Sequence, residues 1–321
     1  MLARMHDYRM TEITWDVVIV GGASAGLSAA LILSRARRRV LVLDGGEPRN
    51  RFAPHMHGVL SRDGYSPLDL VADGRREVRA ADGVIETANV VSVAQGDDGF
   101  DLTTDAGDSI RTRRLIVATG IRDELPEVPG LAEQWGRGVV ACPYCDGYES
   151  RDKRIGVLLG SAAALHKVHM LRAYSSDVTV LTALSGELAE HDLRTLAARG
   201  IRVDDRQVAA VTSEDGTLTG VSFTDGSTLA LDTIFADPRM VPRDELLRQL
   251  DVDRTETPFG QWTAVDAMFQ TSVPGVYAVG NVANPGALVP VASAAGVTAA
   301  VAINADLVMQ DVAAAVAGVA A

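Results

Sequence analysis

The chain has 321 residues, of which 47% are hydrophobic and 22% charged, with a formal net charge of −12. That length accommodates one large or two medium domains around a sizeable core. The acidic excess argues against a nucleic-acid partner, whose phosphates demand a basic face.

The opening MLARMHDYRMTEITWD is charged and holds no apolar run long enough for a signal peptide. Apolar runs such as the closing VAAAVAGVAA are too short to span a bilayer. The expectation is a cytoplasmic protein without a membrane partner.

In chain order, DVVIVGGASAGLSAALILSRARRRVLVLDGG reads as strand, tight turn, helix, strand. DVVIV is a continuous apolar run of the kind buried in a parallel sheet. Gly21 to Gly26 form the turn, Ala25 to Leu33 carry the helical face, and RVLVLD ends in Asp44. Strand before, helix after and an acid at the next strand end make the dinucleotide fingerprint: backbone N–H groups meet a pyrophosphate, and the carboxylate meets a ribose hydroxyl. Gly21, Ser24, Gly26 and Asp44 are the candidate residues; the middle position of the fingerprint departs from glycine and is Ala23. Arg49, Asn50 and Arg51 are weaker candidates, and SRARRRV reads as a solvated helix end that favours the negative dipole terminus.

A meander of short strands follows, with turns at GDDG and DAGD, closing on the buried strand RLIVATG. Ala118, Thr119 and Gly120 at its end let backbone pass close to a ligand. IRDELPEVPG then supplies the prolines and charge of a crossover. KRIGVLLGSAAALHKVHMLRAYSSDVTVLT is a second strand–turn–helix–strand unit, followed by its own meander. VPRDELLRQLDVDRTETPFGQW returns the chain, TSVPGVYAVGN supplies a last strand, and an Ala-rich helix runs from about Val291 to Val308. The fold class expected is α/β with two Rossmann-like nucleotide-binding domains, the second inserted in the first. Residues 1–124 and 246–321 form the first domain and 125–245 the second.

ACPYCDGYE holds both cysteines, Cys142 and Cys145. In a reducing cytosol a lone C-x-x-C pair is more often catalytic than structural. A tetrahedral zinc site usually needs four ligands; only two cysteines exist, and His55, His57, His166 and His169 form no ligand pattern with them, so no metal is expected. CPYC also occurs in glutaredoxins, but there it opens a short chain, whereas here it follows a complete nucleotide-binding unit.

VGGASAG with Asp44, LIVATG, CPYCDG and GVYAVGN, in that order, resemble the thioredoxin-reductase-like flavoproteins over nearly the whole chain. The resemblance implies FAD held by the outer segments, a redox-active disulfide on the inserted domain, and a homodimer. EPRNRFAPHMHGVLSRDG, CPYCDGYE and Asn281 in place of the usual aspartate are similar to the dithiol oxidases of the gliotoxin, holomycin and romidepsin pathways, which close disulfides in small natural products. By resemblance Gly280 and Asn281 join the FAD-binding set, Cys145 faces the flavin, Cys142 is the outer sulfur attacked by substrate thiolate, and Asp146 is the acid/base. His55 or His57 could assist, since histidine titrates near neutral pH.

A reductase of this kind needs an NADPH site on its inserted domain, with a glycine-rich turn at the helix start. Here the turn reads Gly160-Ser161-Ala162-Ala163-Ala164-Leu165, and after the next strand no arginine for a 2′-phosphate appears until Arg194. The expected function is therefore FAD-dependent oxidation of a small dithiol, with O2 as acceptor, in antibiotic biosynthesis or self-protection. The alternatives are an NADPH-dependent thioredoxin reductase and a flavin-binding redox sensor or scaffold.

Overall fold

A computed structural model describes residues 14–319. The N-terminal stretch read above as lacking a signal peptide lies outside them, apart from its last residues. The chain divides into two compact units, residues 1–49, 68–122 and 240–321 in the first and 50–67 and 123–239 in the second.

The first unit opens with β1 (Thr14–Val20), α1 (Ser24–Arg35) and β2 (Val40–Leu43). α2 (Pro67–Ala80) leads to β3 (Val84–Glu86) and the meander β4 (Val90–Gly96), β5 (Gly99–Thr104) and β6 (Ser109–Val117). From Val17 to Val20 successive side chains alternate between two cores: Val17 and Ile19 face one cluster with α1, while Val18 and Val20 face the other. Burial on both faces is what a continuous apolar run requires.

β7 (Ile121–Glu124) leads the chain across, and α3 (Leu131–Gln134) is the first helix of the second unit. Its parallel sheet has the order β11-β10-β9-β15-β8, built from β8 (Val139–Val140), β9 (Ile155–Leu158), β10 (Val178–Leu181), β11 (Arg202–Asp204) and β15 (Thr233–Ala236). Between β8 and β9 lies the short α4 (Pro143–Asp146), and α5 (Leu165–Leu171) and α6 (Glu190–Ala198) flank β10. A three-stranded antiparallel sheet, β12 (Val208–Glu214), β13 (Thr217–Phe223) and β14 (Thr228–Ala230), closes one face. Segment 50–67, assigned to the first domain by sequence, joins this second unit. It folds into a loop pinned by Met56 and Tyr65, whose backbones bridge, and Phe52 packs so closely on the Gly136 turn that a Cβ at Gly136 would lie 2.7 Å from Phe52 Cβ.

β16 (Arg239–Pro242) brings the chain back, followed by α7 (Glu245–Gln249), the hairpin β17 (Arg254–Thr257) and β18 (Gly260–Thr263), β19 (Val276–Ala278) and α8 (Val289–Val319). β19 adds to β6 in parallel, Val276 opposite Leu115, and completes a sheet of order β3-β2-β1-β6-β5-β4. Helix α8 is longer than the sequence suggests, because the alanine-rich tail carries nothing that stops a helix before Gly318. By length and composition alone it could cross a membrane, contrary to the reading of its apolar runs as too short. Ala292, Ala295, Ala299, Ala300, Ile303 and Leu307 are nonetheless buried in the core with α1. The two helices touch backbone to backbone: a Cβ at Gly296 would lie 2.1 Å from the Ala25 carbonyl oxygen.

Candidate active site

The turn after β1 has the shape a pyrophosphate requires. Gly21 has φ +106°, and a Cβ there would lie 2.4 Å from the Ala118 carbonyl oxygen. At Gly26 a Cβ would lie 1.9 Å from the Gly21 carbonyl oxygen. Helix α1 starts at Ser24 behind Ala23, which provides no side-chain cap, and its first turn holds no acidic residue. Its leading N–H groups and dipole thus face the turn uncapped, a ready anion site. The methyl of Ala23, the departure from the glycine fingerprint, leaves this geometry intact.

Asp44 follows the end of β2 and is 9% exposed. Its Oδ1 accepts the Gly22 N–H at 2.9 Å, and its Oδ2 pairs with Arg75. Each carboxylate oxygen can accept a second bond, so a ribose hydroxyl remains within its capacity. Arg75 on α2 is a site residue that sequence reasoning missed; 31 residues beyond Asp44, it belongs to no local motif.

At the end of β6 the Ala118 N–H donates to the Val20 carbonyl at 2.7 Å. Thr119 uses its hydroxyl to donate to the Arg243 carbonyl at 2.5 Å, and Gly120 accepts from the Arg243 N–H at 3.0 Å. The Thr119 hydroxyl therefore commits its one donor to anchoring the returning chain and keeps only acceptor capacity for a ligand. Gly280 has φ +72° and sits against Ala25. Asn281 donates through Nδ2 to the carbonyls of Asn284, Pro285 and Ala287. The glycine cradle, the uncapped helix and the acid at the strand end together fit a flavin dinucleotide.

In the second unit Cys142 and Cys145 are present as thiols. Pro143 starts α4, and the Cys145 and Asp146 N–H groups both donate to the Cys142 carbonyl at 3.1 Å. The Cys142 thiol is lowered to about 7 by hydrogen bonding from the Cys145 thiol and from the backbone N–H groups of Cys145 and Tyr144, against burial and the Asp146 charge. Asp146 is pushed up to about 6, first by burial and then by the neighbouring charge of Glu149, with His57 opposing. A carboxylate near 6 accepts a thiol proton more readily than an ordinary aspartate does.

Segment 50–67 supplies the histidine. His57 lies between two carboxylates, Nδ1 3.4 Å from Asp63 and Nε2 3.6 Å from Glu149. His55 instead turns its Nδ1 to the Gly64 carbonyl at 3.1 Å. The structure therefore selects His57 of the two. Glu149 and Asp63 were missed, although Glu149 is legible as the acid three residues after Asp146 in CDGYE. Arg49, Asn50 and Arg51 are split at the unit boundary, and Arg51 stacks on Phe52 at 4.2 Å. Among the described residues no group of three or more His, Cys, Asp or Glu side chains could hold a metal ion.

The second strand–turn–helix is built differently. Gly160 does not adopt positive φ, and Ala162–Ala164 form a single 3-10 turn before the seven-residue α5. Leu165 is buried among Val157, Val168 and Leu171. Lys167 pairs with Asp237 at the end of β15, and the Gly160 N–H approaches the same carboxylate at 3.4 Å. After β10, Thr182 and Ser185 hydrogen-bond within their own turn, and Arg194 pairs with Glu190.

The sequence matches the family described as pyridine nucleotide-disulphide oxidoreductase over residues 15–296. It is 33% identical to thioredoxin reductase tcpT of Claviceps purpurea, covering 83% of this chain and 86% of that one. It is 32% identical to thioredoxin reductase sirT of Leptosphaeria maculans, covering 94% and 96%. Among solved structures, HlmI superposes with a TM-score of 0.91 at 44% identity over 96% of both chains. An oxidoreductase from Agrobacterium tumefaciens superposes with a TM-score of 0.86 at 36% identity, covering 92% of this chain and 99% of that one.

Proposed function

We propose that this chain, which belongs to the pyridine nucleotide-disulphide oxidoreductase family, is an FAD-dependent dithiol oxidase that closes a disulfide in a small natural product. The observation that carries this reading is the second nucleotide turn. Its glycine positions hold alanine and a core leucine, and its strand-end carboxylate is already paired with Lys167. Losing the charge-assisted contacts of an arginine pocket removes about 1.5–3 kcal/mol each. The fungal relatives are named thioredoxin reductases; this filled turn favours the opposite direction.

The reaction starts from the Cys142–Cys145 disulfide. A substrate thiolate attacks Cys142, forming a mixed disulfide and releasing the Cys145 thiolate. The second substrate thiol loses its proton to Asp146, attacks its partner sulfur and leaves as the cyclic disulfide, with both cysteines reduced. FAD held by the first unit would supply the two-electron acceptor that reoxidises the dithiol pair, with O2 as final acceptor and hydrogen peroxide as product. His57 and Glu149, 3.6 Å apart and both partly exposed, are the charged neighbours that act on Asp146.

The acidity of Cys142 favours a second assignment of the two sulfurs. The lower-pKa thiol is the better leaving group, which points to attack on Cys145 with Cys142 departing. C142S and C145S variants distinguish them: intact mass after mixing with a small dithiol shows which remaining cysteine carries the adduct. Anaerobic titration tests the direction. A small dithiol should bleach the visible flavin absorbance at once and excess NADPH should leave it; rapid bleaching by NADPH would refute the reading. The cytoplasmic location, read from the sequence, and the homodimer, implied by the family resemblance, remain part of the proposal.

A further inference from the structure

The turn from Gly280 to Leu288 links β19 to α8. Within it, Asn284 donates its N–H to the Gly280 carbonyl at 2.9 Å, and Ala287 donates to the Asn284 carbonyl at 3.1 Å. Asn284 Oδ1 accepts from the Gly286 N–H at 3.2 Å. Trp262 on β18, 1% exposed, donates its indole N–H to the Asn281 carbonyl at 2.9 Å. Asn281 sits at the centre: its Nδ2 is 3.1 Å from three carbonyl oxygens, those of Asn284, Pro285 and Ala287. The amide nitrogen has two N–H donors, one of them shared between two of these carbonyls, and the amide oxygen has none to offer, so the environment itself assigns which end of the side chain points into the turn. Immediately after it α8 begins, with no acidic residue in its first turn.

We propose that Asn281 is a positioning residue of the FAD site, acting as a donor that gathers the 284–287 carbonyls and so fixes the N-terminus of α8. Its contribution to the cofactor runs through that turn, beyond any bond its oxygen makes to a ribityl hydroxyl. The inference rests on the reading that FAD is held by the first unit.

Aspartate has the same shape but, ionised, has no proton to give. Placed here it would set a negative charge against three carbonyl dipoles and take the side-chain donor from all three, leaving the Asn284 oxygen with the Ala287 N–H. Replacing Asn281 by the residue found in ordinary thioredoxin reductases should therefore weaken the site. Of the elements that meet this turn, β18 is Gly-Gln-Trp-Thr, α8 has no titratable residue before Asp306, and the only one on α1 is Arg35 at its far end. β19 carries Tyr277, β17 beside β18 carries Arg254 and Glu256, and α7, which shares a core with Val282, carries Glu245 and Arg248.

The test is FAD titration of the apoprotein for wild type and Asn281→Asp, at about pH 8 and at about pH 5, where a carboxyl against carbonyls is protonated. Amide exchange of residues 283–289 is followed alongside. The expected result is about tenfold weaker FAD binding by the variant at the higher pH. At the lower pH the protonated side chain donates again, and most of that loss, relative to wild type, should disappear. Exchange in 283–289 should be faster in the variant at the higher pH only. A variant that folds only at the lower pH supports the proposal equally. Wild-type affinity at the higher pH, a loss that acid does not reverse, or failure to fold at both values would overturn it. Wild type that takes up no FAD would refute the flavin reading instead, and the exchange data would still decide the role of Asn281.

Discussion

At the end of β1 the chain turns through Gly21 and Gly26, where added Cβ atoms would strike backbone oxygens at 2.4 and 1.9 Å. At the end of β9 the corresponding turn runs through Gly160 into three alanines and the buried Leu165. The first turn leaves a twelve-residue helix uncapped behind it; the second leads into seven residues, with Lys167 and Asp237 paired across its mouth. The same strand–turn–helix plan thus serves two ends. Glycine keeps a surface open for phosphate, whereas alanine and leucine turn it into ordinary packing. On this account the second unit keeps its fold to present the cysteine pair, not to bind a nucleotide.

The largest effect separates the cysteines from the turn beside them. C142S or C145S should each lower dithiol turnover by about 10⁴ or more, because neither disulfide formation nor exchange survives the loss of one sulfur; oxygen uptake measures it. Substitution of Asp146 comes next. Asp146→Asn should lower turnover by about a hundredfold or more and remove the fall in rate expected of wild type as pH drops through about 6. Stability should move the other way. Because the folded pKa lies above the unfolded value, native Asp146 is destabilising above about 6, and that penalty vanishes as pH falls below the unfolded pKa. The variant should therefore melt higher than wild type at about pH 8, with the difference shrinking in acid.

The turns themselves give the contrast its sharpest form. Gly26→Ala should cost on the order of 3 kcal/mol or more, seen as lost FAD content of the purified protein. Gly160→Ala would meet Asp237, with Cβ nearest at 3.2 Å and the backbone oxygen at 3.6 Å, and should leave both FAD content and turnover within about twofold. Equal damage from the two would break the comparison. The smallest change is expected from His57→Gln. Removing a positive charge that holds the Asp146 carboxyl down should move the acid limb of the pH–rate profile upward and slow turnover several-fold, on the order of 1 kcal/mol. An unshifted profile would detach His57 from the proton path.

Both strand–turn–helix units were legible in the sequence because their signals are local: an apolar run, a glycine spacing, a helix and an acid within about 30 residues. Cys142, Cys145 and Asp146 were legible for the same reason. Arg75 was not, because it reaches Asp44 from another helix, and no spacing rule links the two. Nor could the sequence choose between His55 and His57, which share one loop; only the fold of segment 50–67 turns one to Gly64 and the other to Glu149. That segment was placed in the first domain by chain order, whereas packing of Phe52 on the Gly136 turn draws it into the second. At Asn281 and Thr119 the positions were identified and the side-chain roles were not. Both side chains spend hydrogen bonds on distant or non-repeating backbone that a motif does not encode.

The central claim is that electrons enter through the cysteine pair and leave to O2 with no nicotinamide involved. It is tested most directly by mixing the purified FAD-loaded protein with a small dithiol in air, without NADPH, and recording oxygen uptake and peroxide together. The account predicts sustained turnover, with one peroxide formed per disulfide closed and no change on adding NADP⁺. Absence of turnover until NADPH and a disulfide are supplied would contradict it and would mean that the filled turn after β9 still binds a nucleotide.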